Sequence, residues 1–146
     1  MLIFLHGLDT YRSKQKVRGI VDAYKKASQT AREIYIDCTA IEFQDFKDTL
    51  QGGSLFEEKK LLIVEHALAQ QVFASQLVEQ KKELLEREGN TIVFVEQGDP
   101  DKRTKLYRYL TGAAEVHTFP LLEEKQLQSW IQREFTVHQL VPRPEV

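Results

Sequence analysis

A three-layer α/β domain, with a parallel five-stranded sheet between helices, is predicted by two features of this sequence. Short apolar runs rich in β-branched and aromatic residues recur at 2–5, 34–36, 61–64, 91–95 and, more weakly, 116–119. The segments between them place apolar residues at helical spacing, so strands and helices alternate with short connections. Unbroken apolar runs indicate strands covered on both faces, and the crossovers joining parallel strands are then right-handed.

The opening strand, 2–5, leads into His6, Gly7, Leu8, Asp9, Thr10, Tyr11, Arg12 and Ser13. In such folds ligands sit at the carboxyl ends of strands, so this turn is where a phosphate loop belongs. A P-loop reads G-x-x-x-x-G-K-[ST]: the second Gly lets backbone amides cradle phosphate, Lys reaches the terminal phosphates, and Ser or Thr binds Mg²⁺. Counted from Gly7, Arg12 stands at the second Gly and Ser13 at the Lys, while Lys14 falls one place late. Gly7, Arg12 and Ser13 therefore mark a degenerate phosphate-loop position, and the turn reads as a helix start capped by Asp9 or Thr10.

Val17, Ile20, Val21 and Tyr24 follow i, i+3, i+4, i+7 and give the first helix one apolar stripe. The second strand, 34–36, is followed by Asp37 and by Cys38, the single cysteine, which reads as a small buried hydrophobe. Phe43, Phe46 and Leu50 repeat the helical spacing. Next come Gly52, Gly53, Ser54, Leu55 and Phe56, then a charged run, Glu57, Glu58, Lys59 and Lys60, expected to be solvated. Adjacent glycines permit positive φ and a sharp turn. Leu55 and Phe56 then either project as a plug for a partner's pocket or fold back beside Phe43 and Phe46.

The third strand, 61–64, ends at Glu65, which superficially fits an Mg²⁺-holding acid of an NTPase. Without the first-loop Lys and Ser or Thr the metal has nothing to bridge. Asp37 and Glu96, which also follow strands, form no ligand cluster with it by spacing. A third helix is predicted over 67–88, with Leu68, Val72, Leu77 and Leu84 facing inward and Gly89 and Asn90 as its stop. After the fourth strand, 91–95, a short helix is predicted from Asp99 and Pro100 through Leu106 and Leu110 to Gly112. Asp101, Lys102, Arg103, Thr104 and Lys105, with Arg108, form a basic stretch that suits phosphate, an acidic partner or a solvated face. Leu127, Trp130 and Ile131 stripe the last helix, and 141–146 carries two prolines, as a linker does.

The net charge of −2 gives no general attraction to DNA, which clustered Lys and Arg would provide. No apolar run approaches the ~20 residues of a membrane span, and residues 1–5 lack a signal-peptide pattern. His6, His66, His117 and His138 are scattered, and neither an H-x-x-x-H nor a G-x-S-x-G pattern occurs. A cytoplasmic protein without intrinsic catalysis, metal or cofactor is expected.

In their order and spacing, four segments resemble the N-terminal domain of the delta subunit of bacterial DNA polymerase III, a clamp-loader component, over roughly residues 1–135. They are the opening strand with Gly7, Leu8, Asp9, Thr10 and Tyr11; Gln51-x-x-Ser54-Leu55-Phe56 ahead of Lys59, Lys60 and the apolar run; residues 101–106; and Trp130 with Ile131. The resemblance implies a AAA+-type, P-loop NTPase-like module without a functional P-loop. It implies that Leu55 and Phe56 enter a hydrophobic pocket of the beta sliding clamp and help to open it, with Ser54 shaping the approach. Family members continue into a small helical domain and a collar that joins motor and delta-prime subunits. Residues 136–146 are accordingly expected to be a linker or the truncated start of a second helical domain, and DNA to be met only indirectly through the complex. The DNA polymerase activity belongs to the assembled holoenzyme. The alternatives are a P-loop-type nucleotide-hydrolysing protein and a receiver-like regulatory α/β module.

Overall fold

A computed structural model describes residues 1–28, 32–52 and 59–138. Five strands, β1 (Leu2–Gly7), β2 (Arg32–Asp37), β3 (Lys60–Glu65), β4 (Asn90–Gln97) and β5 (Glu115–Thr118), form one parallel sheet in the order β2-β3-β4-β1-β5. β1, held between β4 and β5, is buried along its whole length, which explains its unbroken apolar run. The predicted sheet is therefore present, and its carboxyl edge brings together the ends of β1, β3 and β4.

Period-two alternation divides the core between the two faces. Leu2 and Phe4 of β1 join Leu62, Val64, Ile92 and Phe94 on one face. Helices α2 (Phe43–Gln51), α3 (Gln71–Glu79), α4 (Lys81–Leu84) and α5 (Lys105–Ala113) cover it through Phe46, Phe73, Leu77, Leu84, Leu106 and Leu110. Ile3 and Leu5 join Leu61, Ile63, Val93 and Val95 on the other face. There α1 (Thr10–Ala27) lays down the predicted stripe of Val17, Ile20, Val21 and Tyr24. Helix α6 (Glu124–Val137) runs beside α1, with Trp130 edge-on to Tyr11 at 5.4 Å and Gln15 donating to Glu134 at 3.2 Å.

Several helical expectations are corrected. The predicted 67–88 helix is two shorter helices, α3 and α4, with Gln80 between them. Of the residues expected to face inward, Leu68, Leu77 and Leu84 are buried, joined by Phe73 and Ala74, whereas Val72 is 74% exposed. The fourth helix is capped by Thr104, whose hydroxyl accepts from the Tyr107 amide, and it passes Gly112 to end at Ala113. α6 buries none of its residues: Leu127 and Ile131 are exposed. Phe119 lies just past β5 and packs against the α1-side cluster.

Candidate functional site

The turn after β1 is closed by its own chain. Gly7 has φ of +145°, and the Phe119 backbone passes so close that a Cβ at Gly7 would sit 2.2 Å from its carbonyl oxygen. The Phe119 amide donates to the His6 carbonyl at 2.8 Å, and the Asp9 amide donates to the Phe119 carbonyl at 2.9 Å. At the start of α1 the Asp9 carboxylate accepts from the Arg12 amide at 3.1 Å and from Arg12 Nε at 2.8 Å. Arg12 also donates to the Pro120 carbonyl. A helix N-terminus attracts an anion because its amides are unpaired and its dipole is positive. Here that anion is Asp9, and of the two capping residues predicted it is Asp9 that caps.

Partial burial pushes the Asp9 carboxyl up, but the hydrogen bonds and charge of Arg12 outweigh it and hold the group below its usual range. A carboxyl depressed by folding contributes stability above its unfolded pKa and loses it as pH falls through the folded one. Asp9→Ala is therefore expected to cost about 1–2 kcal/mol at neutral pH. In urea titrations the gap to the wild type should narrow as pH falls below the carboxylate range; a gap independent of pH would refute this account.

Of the strand-end acids, Asp37 accepts from the Thr39 hydroxyl at 2.6 Å and its amide at 2.9 Å, and pairs with His66 at 3.1 Å. Thr39 first, then His66, lowers its pKa to about 2. Glu96 is buried, which pushes its carboxyl up, and it accepts from the Leu68 amide at 2.8 Å to hold the entry to α3. Glu65, Glu96, Ser13 and Lys14 line a cavity of about 240 Å³ beside α1. Among the described residues no three His, Cys, Asp or Glu side chains gather as a metal site. His117 pairs with Glu115 and His138 with Glu134, at 2.9 and 3.4 Å. Cys38 is buried as predicted, and burial pushes its thiol up to about 12.

The connection from α2 to β3 carries the predicted partner-binding residues. Ser54, Leu55 and Phe56 lie outside the described residues, as does Gly53. Gly52 ends α2 at an ordinary φ of −66°, with its amide on the Asp48 carbonyl at 2.6 Å. The reason for a glycine here is close approach, since a Cβ would lie 2.6 Å from that oxygen. Lys60, expected to be solvated, is instead only 5% exposed. Its ammonium donates to the Thr49 carbonyl at 3.2 Å and to the Gly52 carbonyl, on the far side of the connection. The clue in the sequence was its position against the apolar run 61–64, which β3 carries into the core. In the basic stretch, Arg103 is exposed and pairs with Asp101 at 3.1 Å.

The family model of the DNA polymerase III delta subunit matches residues 4–127. The chain belongs to that family. No curated protein matches it. Among solved structures it is similar to the Bacillus subtilis DNA clamp loader delta protein, with a TM-score of 0.67 at 14% identity, over 94% of this chain and 43% of that one. A likeness at that identity is one of fold, and the chain spans less than half of that protein's length. For this member of the delta family, the five-stranded parallel sheet agrees with a AAA+-like module, and the helix start after β1 is capped by Asp9.

Proposed function

We propose that this delta-family chain is a non-catalytic clamp-binding module, in which Leu55 and Phe56 fill an apolar pocket of the beta sliding clamp and help to open it. The observation that carries the reading is Ser54-Leu55-Phe56 in the connection between α2 and β3, inside the region matched by the family. The self-closed first turn supports it, because the Asp9 carboxylate stands where a nucleotide phosphate would bind. ATP-driven work then belongs to the motor subunits, and contact with DNA and with delta-prime to the assembled loader. In the same reading residues 1–135 are the clamp-binding body, residues 136–146 lead toward a further domain, and the protein works in the cytoplasm within the polymerase III holoenzyme.

Burying a Leu and a Phe from water is worth ~3–6 kcal/mol before the costs of association. Purified beta clamp is therefore expected to bind Leu55→Ala/Phe56→Ala at least ~100-fold more weakly than the wild type, which corresponds to about 2.7 kcal/mol. Surface plasmon resonance reads this directly, with circular dichroism to confirm an unchanged fold. A folded double variant with wild-type affinity would end the proposal.

A further inference from the structure

The basic stretch at 101–105 contains no aromatic residue on which a base could stack. The fold assembles cations and an aromatic ring elsewhere, from segments far apart in sequence. Arg12 at the start of α1, Pro120 after β5 and one side of α6 line a groove of about 470 Å³. From α6 it receives Lys125, Gln126, Trp130 and Arg133. Arg12 is already met by Asp9 and the Pro120 carbonyl, so the free charge comes from Lys125 and Arg133. Both are exposed, and neither has a carboxylate or other polar partner among the described residues. No Asp or Glu is among the described residues that line the groove, and Glu134, next to Arg133, is turned to Gln15 and His138. Gln126 gives its amide oxygen to the Glu123 backbone N–H at 3.3 Å and keeps its NH2 as a donor.

We propose that this groove binds single-stranded nucleic acid, with Lys125 and Arg133 on phosphates and Trp130 against a base. The two cations lie about 12 Å apart along the helix axis, at 1.5 Å per residue, which suits successive charges on a chain rather than one free phosphate. A cationic groove that also offers an aromatic ring holds single strands without reading their sequence, because every base has a π-face. Trp130 is half-buried in the groove and stands nearly perpendicular to Tyr11, which is 54% exposed, so a second ring lies beside the first. An acidic peptide offers the charges but not the planar faces. The net charge of −2 provides no long-range pull, so the contact is local and salt-sensitive. It adds a direct contact with nucleic acid to the indirect one expected through the assembled loader.

The chain's single tryptophan lies in the groove and reports on it directly. Titration with an oligothymidylate of about 12 nucleotides at about 50 mM salt is expected to quench Trp130 fluorescence saturably. Affinity should fall with salt at a logarithmic slope near about −1.4, or about −0.7 for each of two phosphates. By anisotropy of the labelled oligonucleotide, Lys125→Ala/Arg133→Ala should bind at least about tenfold more weakly, with most of the salt slope gone. Trp130→Leu should lose about fivefold or more, and Trp130→Phe should recover to within about threefold of the wild type. Lys105→Ala/Arg108→Ala, which removes two exposed cations elsewhere, should stay within about twofold. Circular dichroism establishes that each variant is folded; if a Trp130 variant is not, the Lys125 and Arg133 pair, exposed and unpartnered, decides alone. Absence of quenching and binding at that salt overturns the inference. So does an equal loss in the Lys105 and Arg108 variant, which assigns the affinity to overall charge. Competition by polyglutamate as strong as by the oligonucleotide, the mark of an acidic-peptide site, also overturns it, as does saturation by pyrophosphate at the same phosphate concentration. Beta clamp is absent from these assays, so their outcome does not depend on the clamp-binding reading.

Discussion

Phe46→Ala is expected to remove about 3–5 kcal/mol of stability, the range for emptying a buried aromatic site. Phe46 is 0% exposed. Its ring lies 5.1 Å from Phe73 of α3 and 6.2 Å from Phe43 of α2, and Phe43 and Phe73 meet edge-on at 5.3 Å. The three rings join α2 to α3 within the core cluster that also holds Leu62 and Val64 of β3 and Ile92 and Phe94 of β4, so the cavity would open inside the packed core. Set against a total stability of ~5–15 kcal/mol for a domain, the loss is a large part of the whole. Urea unfolding followed by circular dichroism measures it. Phe46→Leu, which keeps most of the volume, should cost about 1.5 kcal/mol or less. A Phe46→Ala loss below about 1 kcal/mol would mean the three-ring cluster is not a core element.

Gly7→Ala is the second large effect, expected at about 2–5 kcal/mol from backbone strain and overpacking together. The φ of +145° disfavours any side chain, and the added Cβ would meet backbone atoms of Phe119, at 2.2, 2.5 and 2.7 Å, that cannot rotate away. The damage should be local first. Separating Phe119 from Gly7 breaks the paired bonds from Phe119 to His6 and from Asp9 to Phe119, and loosens the antiparallel bridge of Gly7 with Gly98. Hydrogen exchange should therefore accelerate at the Asp9 and Phe119 amides before it does in β3 or β4. Uniform loss of protection across the sheet would contradict that order. Gly19, in the middle of α1 with open space around it, presents no such obstacle.

Elements whose cause is local were legible in the sequence. β1, β3 and β4 are buried on both faces and announce themselves as apolar runs, and the α1 stripe follows from spacing alone. The misreadings have non-local causes. The segment after β3 does not become helical at Ala67: the chain turns at His66, whose φ is +64°, and the Leu68 amide is held by Glu96, an acid from another strand. No Gly or Pro marks the break at Gln80, so helical period ran straight through it. Asp99 and Pro100 read as a helix start, yet the cap is supplied by Thr104 within a turn held by Asp101. Lys60 looked solvated because its partners are backbone carbonyls, which carry no residue identity in a sequence.

The same blindness applied to the first turn. The missing P-loop residues were evident, but the contact that takes their place was not, since it joins Gly7 to Phe119 across more than a hundred residues. Sequence excluded one chemistry at that corner, and only three-dimensional proximity revealed what fills it.

The Asp9 carboxylate at the start of α1 is a ligand tied to its own receptor. Its local concentration is fixed by a few covalent bonds and does not follow the supply of any solute, so dilution cannot empty the place and no soluble competitor meets it on equal terms.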